Sequence, residues 1–524
     1  MVAPSIVGIE QRTEIEDRQM NRADRACPER TLFTTASIVA AGLLGLLPLR
    51  VSAATAAEIP RRAIEPSTCP IVLAPAIADR TRCGRLTVPE DRRRITGRTA
   101  SMAFAVVAAE RPDTQRLPLL FVMGGNGSGL KMLQRQWRMV ASLSRDDTVI
   151  IVDHRGSTPW GWPDMSCPDF PEGLDAALPT ADPSRVEACR KHLDARLDVN
   201  LYGPYEAAQD LRDLRLALGI PRWNVYGVSY GTTIAQRLLG LDASAIAGIV
   251  LDGMSGLESN SFAEAFLLDP LLDLIDECNA ATDCRRAFPE LEVQLGQVAA
   301  ELEQRPRRIG GAIVSNVEYL AVIREALPDP ERRGLIPLAI DRSARGDHAP
   351  WVSLKSADVS GPGGKDPAMT WPSSVCRDEQ SRRDDADRQQ MARRAVPEAV
   401  RRGARMVDGE SWDWATFCPR MGFTKSSPET FMLPKVDVPA LMLVGQLDLV
   451  TPKTGSDLVT RSMSDARTVV FPSTGHFVLL RHMQCVGDLM RSFYANPKAP
   501  LDTRCVDALP KTAWALDASR VRRP

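Results

Sequence analysis

No apolar run in the 524-residue chain reaches the roughly 18 to 20 residues that a membrane-spanning helix needs. An excess of charge is also missing: 65 Lys and Arg stand against 66 Asp and Glu, a net charge of -1, so nothing in the balance points to nucleic acid. There is no Cys-x-x-Cys, and the five histidines do not fall at zinc-ligand spacing beside the cysteines, which argues against a metal site. No G-K-[ST] and no G-x-G-x-x-G with an acidic residue at the proper remove occurs, which argues against a nucleotide cradle. No internal repeat is visible. What is there, 44% hydrophobic and 25% charged residues, is ordinary for a globular protein and excludes global disorder. The length allows three or four average domains, or one large enzyme with an insertion.

Residues 1–57 have the make-up of an export signal. Arg22, Arg25 and Arg30 precede an apolar stretch, Thr35 to Leu49, and Val51 to Ala57 supply a small-residue exit. The acidic segment before Met20 suits a signal poorly and suggests Met20 as the true start. An uncleaved anchor is the alternative. Removing the signal removes Cys27 and leaves ten cysteines, which favours disulfides in an oxidising compartment, periplasmic or extracellular. Ten cysteines permit 945 pairings; neighbour pairing (69–83, 167–189, 278–284, 376–418, 485–505) is the simplest, because short loops close most easily.

Apolar, β-branched runs occur in two blocks. The first holds Met102–Val107, Leu119–Val122, Val149–Val152, Trp223–Tyr226 and Ile246–Leu251; the second holds Ala440–Val444 and Thr468–Phe471. Near-continuous apolar strands of this kind predict a parallel sheet covered on both faces. Glu206 to Leu218 reads as a crossover helix, and Cys485 to Tyr494 as a helix that follows the second block. Between the blocks the texture becomes helical and charged, as in Asp378 to Arg405. The expected division is a core from 58 to 261, a helical insertion from 262 to 432, and the rest of the core from 433 to 524. An independent second domain is the alternative, but the sheet would then lack its final strands.

Gly227-Val228-Ser229-Tyr230-Gly231 directly follows the strand Trp223–Tyr226 and opens a helical pattern. That is the setting of a nucleophile elbow, whose turn projects a serine hydroxyl above the sheet. Such a serine needs a base, and the base needs an orienting carboxylate. His476 follows the last predicted strand, with His154 as its rival; His192, His348 and His482 stand in polar or helical settings. Asp448 follows the strand Ala440–Val444, with Asp252 as second choice. The order Ser229, Asp448, His476 is that of an α/β-hydrolase. The backbone amide of Tyr230, and that of Gly125 in the loop Met123–Gly129, are the expected oxyanion donors.

These residues resemble the secreted branch of the α/β-hydrolase superfamily that includes prolyl iminopeptidases and tripeptidyl aminopeptidases, over about Cys69 to Cys505. The family's Gly-Gly-Pro-Gly-x-Ser-Gly loop matches Gly124 to Gly129 with Asn126 in place of proline. Its Asp-x-Arg-Gly turn matches Asp153 to Gly156, which makes His154 a spacer rather than a base; Thr158 and Trp160 replace the motif's later glycine and serine. Ser374 to Glu379 is similar to a cysteine-plus-acid motif of the family's cap, and Cys485 and Cys505 to its terminal disulfide segment. Phe477 replaces the last residue of Gly-His-Gly.

The resemblance implies a mostly parallel sheet with helices on both faces, a mainly helical cap, a TAP-like C-terminal region, and serine hydrolase chemistry without metal or organic cofactor. An aminopeptidase would also need an anion for the substrate's ammonium. Asp378 and Glu379 are the candidates, against the alternative of a solvated acidic pair. Carboxylesterase and non-catalytic binding module are the competing readings. The expected partner is a peptide or small ester, with no nucleic acid and no membrane contact beyond the export signal; the sequence does not specify an oligomeric state.

Overall fold

The computed structural model describes residues 64–125, 128–157, 160–167, 182–254, 265–355, 370–379, 396–407, 414–427, 435–460 and 463–517. The expected export signal, Asn126, Thr158 and most of the charged stretch after Asp378 lie outside the described residues. The strands are β1 (Ile64–Ser67), β2 (Thr81–Pro89), β3 (Thr99–Val107), β4 (Leu119–Val122), β5 (Val149–Val152), β6 (Trp223–Val228), β7 (Ile246–Asp252), β8 (Arg307–Ile309), β9 (Ala312–Val314), β10 (Ala440–Gly445) and β11 (Ala466–Phe471).

Nine of them form one sheet in the order β1-β2-β3-β5-β4-β6-β7-β10-β11. From β5 to β11 every neighbouring pair is parallel; β1, β2 and β3 add an antiparallel edge. This is the α/β-hydrolase fold. β1 and β2 escape the apolar pattern because exposed residues such as Arg82 interrupt it.

Strand alternation divides the core between two faces. Leu120, Val122, Ile150, Val152 and Val225 pack with Leu211, Leu214, Ile234 and Leu238 of the helices Pro204–Ala217 and Tyr230–Asp242. Leu119, Phe121, Val149, Ile151 and Tyr226 pack on the other face with Leu133, Val140, Leu489 and Phe493. Both faces are dry, which is why these strands are almost wholly apolar; burying each such aliphatic side chain is worth about 1.5–3 kcal/mol.

The chain leaves the sheet after β7 and returns at β10, and these two strands pair directly with each other. The intervening residues build a second apolar cluster from helices including Ala265–Ala280, Leu291–Gln304, Asn316–Ala326, Ile336–Ala344 and Glu398–Arg405. Leu447 and Leu449, just past β10, belong to that same cluster. A hairpin, β8–β9, turns through Gly310 and Gly311 at positive φ and is the one pair of strands among the described residues of this segment. Five disulfides join Cys69–Cys83, Cys167–Cys189, Cys278–Cys284, Cys376–Cys418 and Cys485–Cys505, the neighbour pairing throughout. Among the described residues no helix is long and apolar enough to cross a membrane.

Candidate active site

β6 ends at Val228 and the helix Tyr230–Asp242 begins two residues later, so Ser229 alone makes the turn. It does so at φ 56°, ψ -130°, a left-handed conformation that costs a non-glycine residue roughly 1–3 kcal/mol. The flanking glycines are required by contact: a Cβ on Gly231 would lie 2.2 Å from the carbonyl oxygen of Val122, and one on Gly227 2.9 Å from that of Gly231. The Ser229 amide donates to the Asp252 carbonyl (3.0 Å), which holds the turn against the end of β7. Ser229 itself is half-buried.

The loops after β10 and β11 are pressed together. A Cβ on Gly445 would meet the Gly475 carbonyl at 2.4 Å, and the Leu447 amide donates to the Thr474 carbonyl at 2.8 Å. This contact brings Asp448 and His476, 28 residues apart in sequence, within 2.8 Å, Nδ1 to Oδ2. Asp448 is fully buried. Its Oδ1 accepts from the amides of Val450 (2.8 Å) and Thr451 (2.9 Å), and its Oδ2 also accepts from Thr451 Oγ1 (2.7 Å).

Burial alone would raise the Asp448 carboxyl, but the facing imidazole and the Thr451 donors bring it below the usual carboxylate value. Burial likewise opposes a charge on His476, yet the Asp448 carboxylate outweighs it and holds the imidazole above its ordinary value. The His476 ring also lies against the turn after β7: a Cβ on Gly253 would be 2.9 Å from its Nδ1. Ser229 therefore bonds to Asp252 while His476 lies against the next residue, Gly253.

Asp252 does not hydrogen-bond the imidazole. Its carboxylate accepts from Tyr226 Oη (2.7 Å) and from the amides of Val478 (2.9 Å) and Leu479 (2.8 Å), so it anchors the segment that carries His476; burial raises its pKa. His154 is buried against the Met123 carbonyl, with burial pushing its pKa down to about 4. Sequence reasoning missed Thr451, whose Oγ1 is also 3.1 Å from His476 Nδ1. Its place three residues after Asp448, where a hydroxyl and an amide reach back to one carboxylate, is the signal that was available.

Gly125 lies exposed at φ 59° after β4, and its neighbour Gly124 packs on the elbow: a Cβ there would be 2.5 Å from Ser229 Cβ and 3.1 Å from the Tyr230 amide nitrogen. Gly124, the neighbour of the expected donor Gly125, thus packs against Ser229 and Tyr230. The acidic pair proposed for an ammonium is differently placed. Asp378, in the turn Val375–Glu379, is buried, with Oδ2 accepting from Arg237 (2.7 Å) and Oδ1 from Ser426 (2.8 Å). Its neighbour Arg377 pairs with Glu206 at 3.1 Å. Asp378 is therefore neither solvated nor open to a substrate cation, because the helix that follows Ser229 already supplies its counter-charge. The Glu379 side chain lies outside what is described.

Two family models match. One, for the alpha/beta hydrolase fold, spans residues 118–277; the other, for TAP-like proteins, spans residues 406–505. The chain is an α/β hydrolase. More particularly, it is one with a TAP-like C-terminal region. Similar solved structures include a serine hydrolase from Cycloclasticus zankles (15% identity, TM-score 0.34, 76% of this chain and 96% of that one). A proline iminopeptidase from Mycobacterium smegmatis is similar at 15% identity and TM-score 0.33, covering 78% of this chain and 97% of that one. So is an esterase from a Rhodococcus species, at 14% identity and TM-score 0.33, covering 76% and 95%. No curated protein matches the sequence.

Proposed function

We propose that the chain is an exported serine hydrolase that transfers acyl groups to water, acting as an aminopeptidase on peptide N-termini. The observation that carries this reading is the 2.8 Å contact of His476 with buried Asp448, on the same Asp252–Gly253 turn that holds Ser229. In it Ser229 Oγ attacks the carbonyl while His476 takes its proton, and Asp448 holds the imidazole and stabilises its cation. The amides of Gly125 and Tyr230 receive the oxyanion. His476 then protonates the leaving group, and water, activated by the same imidazole, releases the acid from Ser229. Five disulfides support a destination outside the reducing cytosol.

The TAP-like match supports the aminopeptidase choice. A carboxylesterase uses the same residues without an ammonium acceptor, and the pairing of Asp378 with Arg237 favours it. Labelling with a fluorophosphonate, located by mass spectrometry, tests the chemistry. Label on Ser229, lost in Ser229→Ala, is expected; an unlabelled protein sinks the enzyme reading and leaves a binding module. Rates on free and N-acetylated peptide amides, beside an aryl ester, then separate the substrates. Preference for the free amine is the aminopeptidase result, and ester turnover without amide cleavage removes it.

A further inference from the structure

The proposed proton transfers leave His154 unused, although it is only 3% exposed and stands two residues after β5. Its Nε2 lies 3.3 Å from the carbonyl oxygen of Met123, the first residue of the glycine loop, and its Nδ1 is buried with no hydrogen-bond partner among the described residues. A carbonyl oxygen only accepts, so the proton belongs on Nε2. With burial holding the imidazole pKa down at about 4, the ring is this neutral donor at neutral pH.

The preceding residue grips the other end of the same loop. Asp153 Oδ1 accepts from the Leu130 amide (2.8 Å) and Oδ2 from Ser128 Oγ (3.3 Å). The turn that carries both side chains is itself fixed, since Arg155 forms a buried ion pair with Asp210 and the His154 carbonyl accepts from the Ser157 amide. The two residues that follow β5 thus hold Met123 on one side of Gly125 and Ser128 to Leu130 on the other. Between the two grips Gly124 rests on the elbow, where even a methyl group would collide with Ser229 Cβ and the Val228 carbonyl, both at 2.5 Å.

We propose that His154 is a positioning residue for oxyanion stabilisation: its Nε2–H fixes the Met123 carbonyl and, with Asp153, holds the loop so that the Gly125 amide meets the developing charge. The proposal rests on the serine hydrolase reading above. Releasing the Met123 carbonyl lets the Met123–Gly125 peptides rotate, which weakens the transition state while leaving ground-state binding and the His476–Asp448 pair intact.

The test compares the wild type with His154→Leu, His154→Gln and Ser128→Ala. It reads p-nitrophenyl acetate hydrolysis, the rate of fluorophosphonate labelling and thermal melting. Removing an oxyanion donor outright costs about 100- to 1,000-fold, so misplacing one in His154→Leu is expected to cost roughly 30- to 100-fold in kcat and in labelling rate. KM stays within about twofold, and the pH limb set by His476 does not move. Glutamine, whose amide nitrogen can donate to Met123, restores most of the rate. Ser128→Ala, at the opposite grip, lowers kcat several-fold, and it decides alone if His154→Leu does not fold.

A His154→Leu protein that melts normally and works within threefold of wild type overturns the proposal. So does a glutamine variant no better than leucine, a displaced pH limb, or a Ser128→Ala protein of wild-type rate where that variant is the only one folded. A wild type that neither labels nor hydrolyses the ester overturns the underlying reading as well, whereas a wild type that does both isolates the fault in the positioning argument.

Discussion

Replacing Asp448 by Asn separates the roles of charge and geometry in the His476 pair. The Asp448 carboxylate takes four donors, two on each oxygen. An asparagine keeps its carbonyl toward the amides of Val450 and Thr451, because those N–H groups are obligate donors. Its NH2 then faces His476 Nδ1, which must accept, and the imidazole proton moves to Nε2. The nitrogen meant to take the serine proton has lost its lone pair. In a serine protease the corresponding change lowers kcat about 10⁴-fold, equal to roughly 5.5 kcal/mol, and the same order is expected here.

The pH profile gives a second, independent reading. The carboxylate holds the His476 pKa above its ordinary value of 6.5. The base works only when deprotonated, so wild-type kcat/KM rises with pH through that elevated value. Without the carboxylate the limb moves toward lower pH. Steady-state hydrolysis of an aryl ester over about pH 5 to 9, with thermal melts as the control for folding, measures both effects. A folded Asp448→Asn protein that loses less than about tenfold and keeps its pH limb refutes the assignment.

Four further outcomes are expected. Thr451→Val removes one donor to Asp448 and is expected to lower kcat roughly three- to tenfold with little change in KM, read by the same assay. Cys418→Ser opens the Cys376–Cys418 bridge, whose 42-residue separation corresponds to about 4 kcal/mol of lost stability in denaturant unfolding; an unshifted midpoint contradicts it. Asp210→Asn leaves the Arg155 guanidinium, only 1% exposed, without its anion, and is expected to cost about 3–5 kcal/mol by the same measurement. In the wild type, burial opposes the Asp210 charge, but Arg155 and Arg92 hold its carboxyl below the ordinary value. Its contribution is therefore complete above the unfolded carboxylate pKa of about 3.9 and is lost as pH falls through the lower native value, a loss that Asp210→Asn should not show.

The strands β4, β5, β6, β7 and β10 were legible because both their faces are dry, so each reads as a near-continuous apolar run, with Asn224 the interruption in β6. β2 was not, because it lies near the sheet edge and alternates buried residues with Arg82 and Arg85. The elbow was legible because packing at Gly227 and Gly231 admits no side chain, and that demand is written locally as residue type. The placing of Asp448 and His476 after apolar strands followed from the same local logic, and so did neighbour pairing of the cysteines.

The long-range choices were different. Asp252 closes β7 and Asp448 follows β10, each at the same end of a parallel strand, and only the contact between the loops following β10 and β11 determines that His476 bonds to Asp448 while Asp252 caps the Val478–Arg481 segment. Asp378 and Arg237 are 141 residues apart, and their pairing converts an apparent surface acid into a buried, neutralised one. The amino-acid order by itself determined which residues could do chemistry, since sterics and hydrophobic period act over a few neighbours. Which charges meet, and so which carboxylate orients the imidazole and which serves the scaffold, was decided only when the chain closed on itself, because electrostatic partnership depends on distance in space.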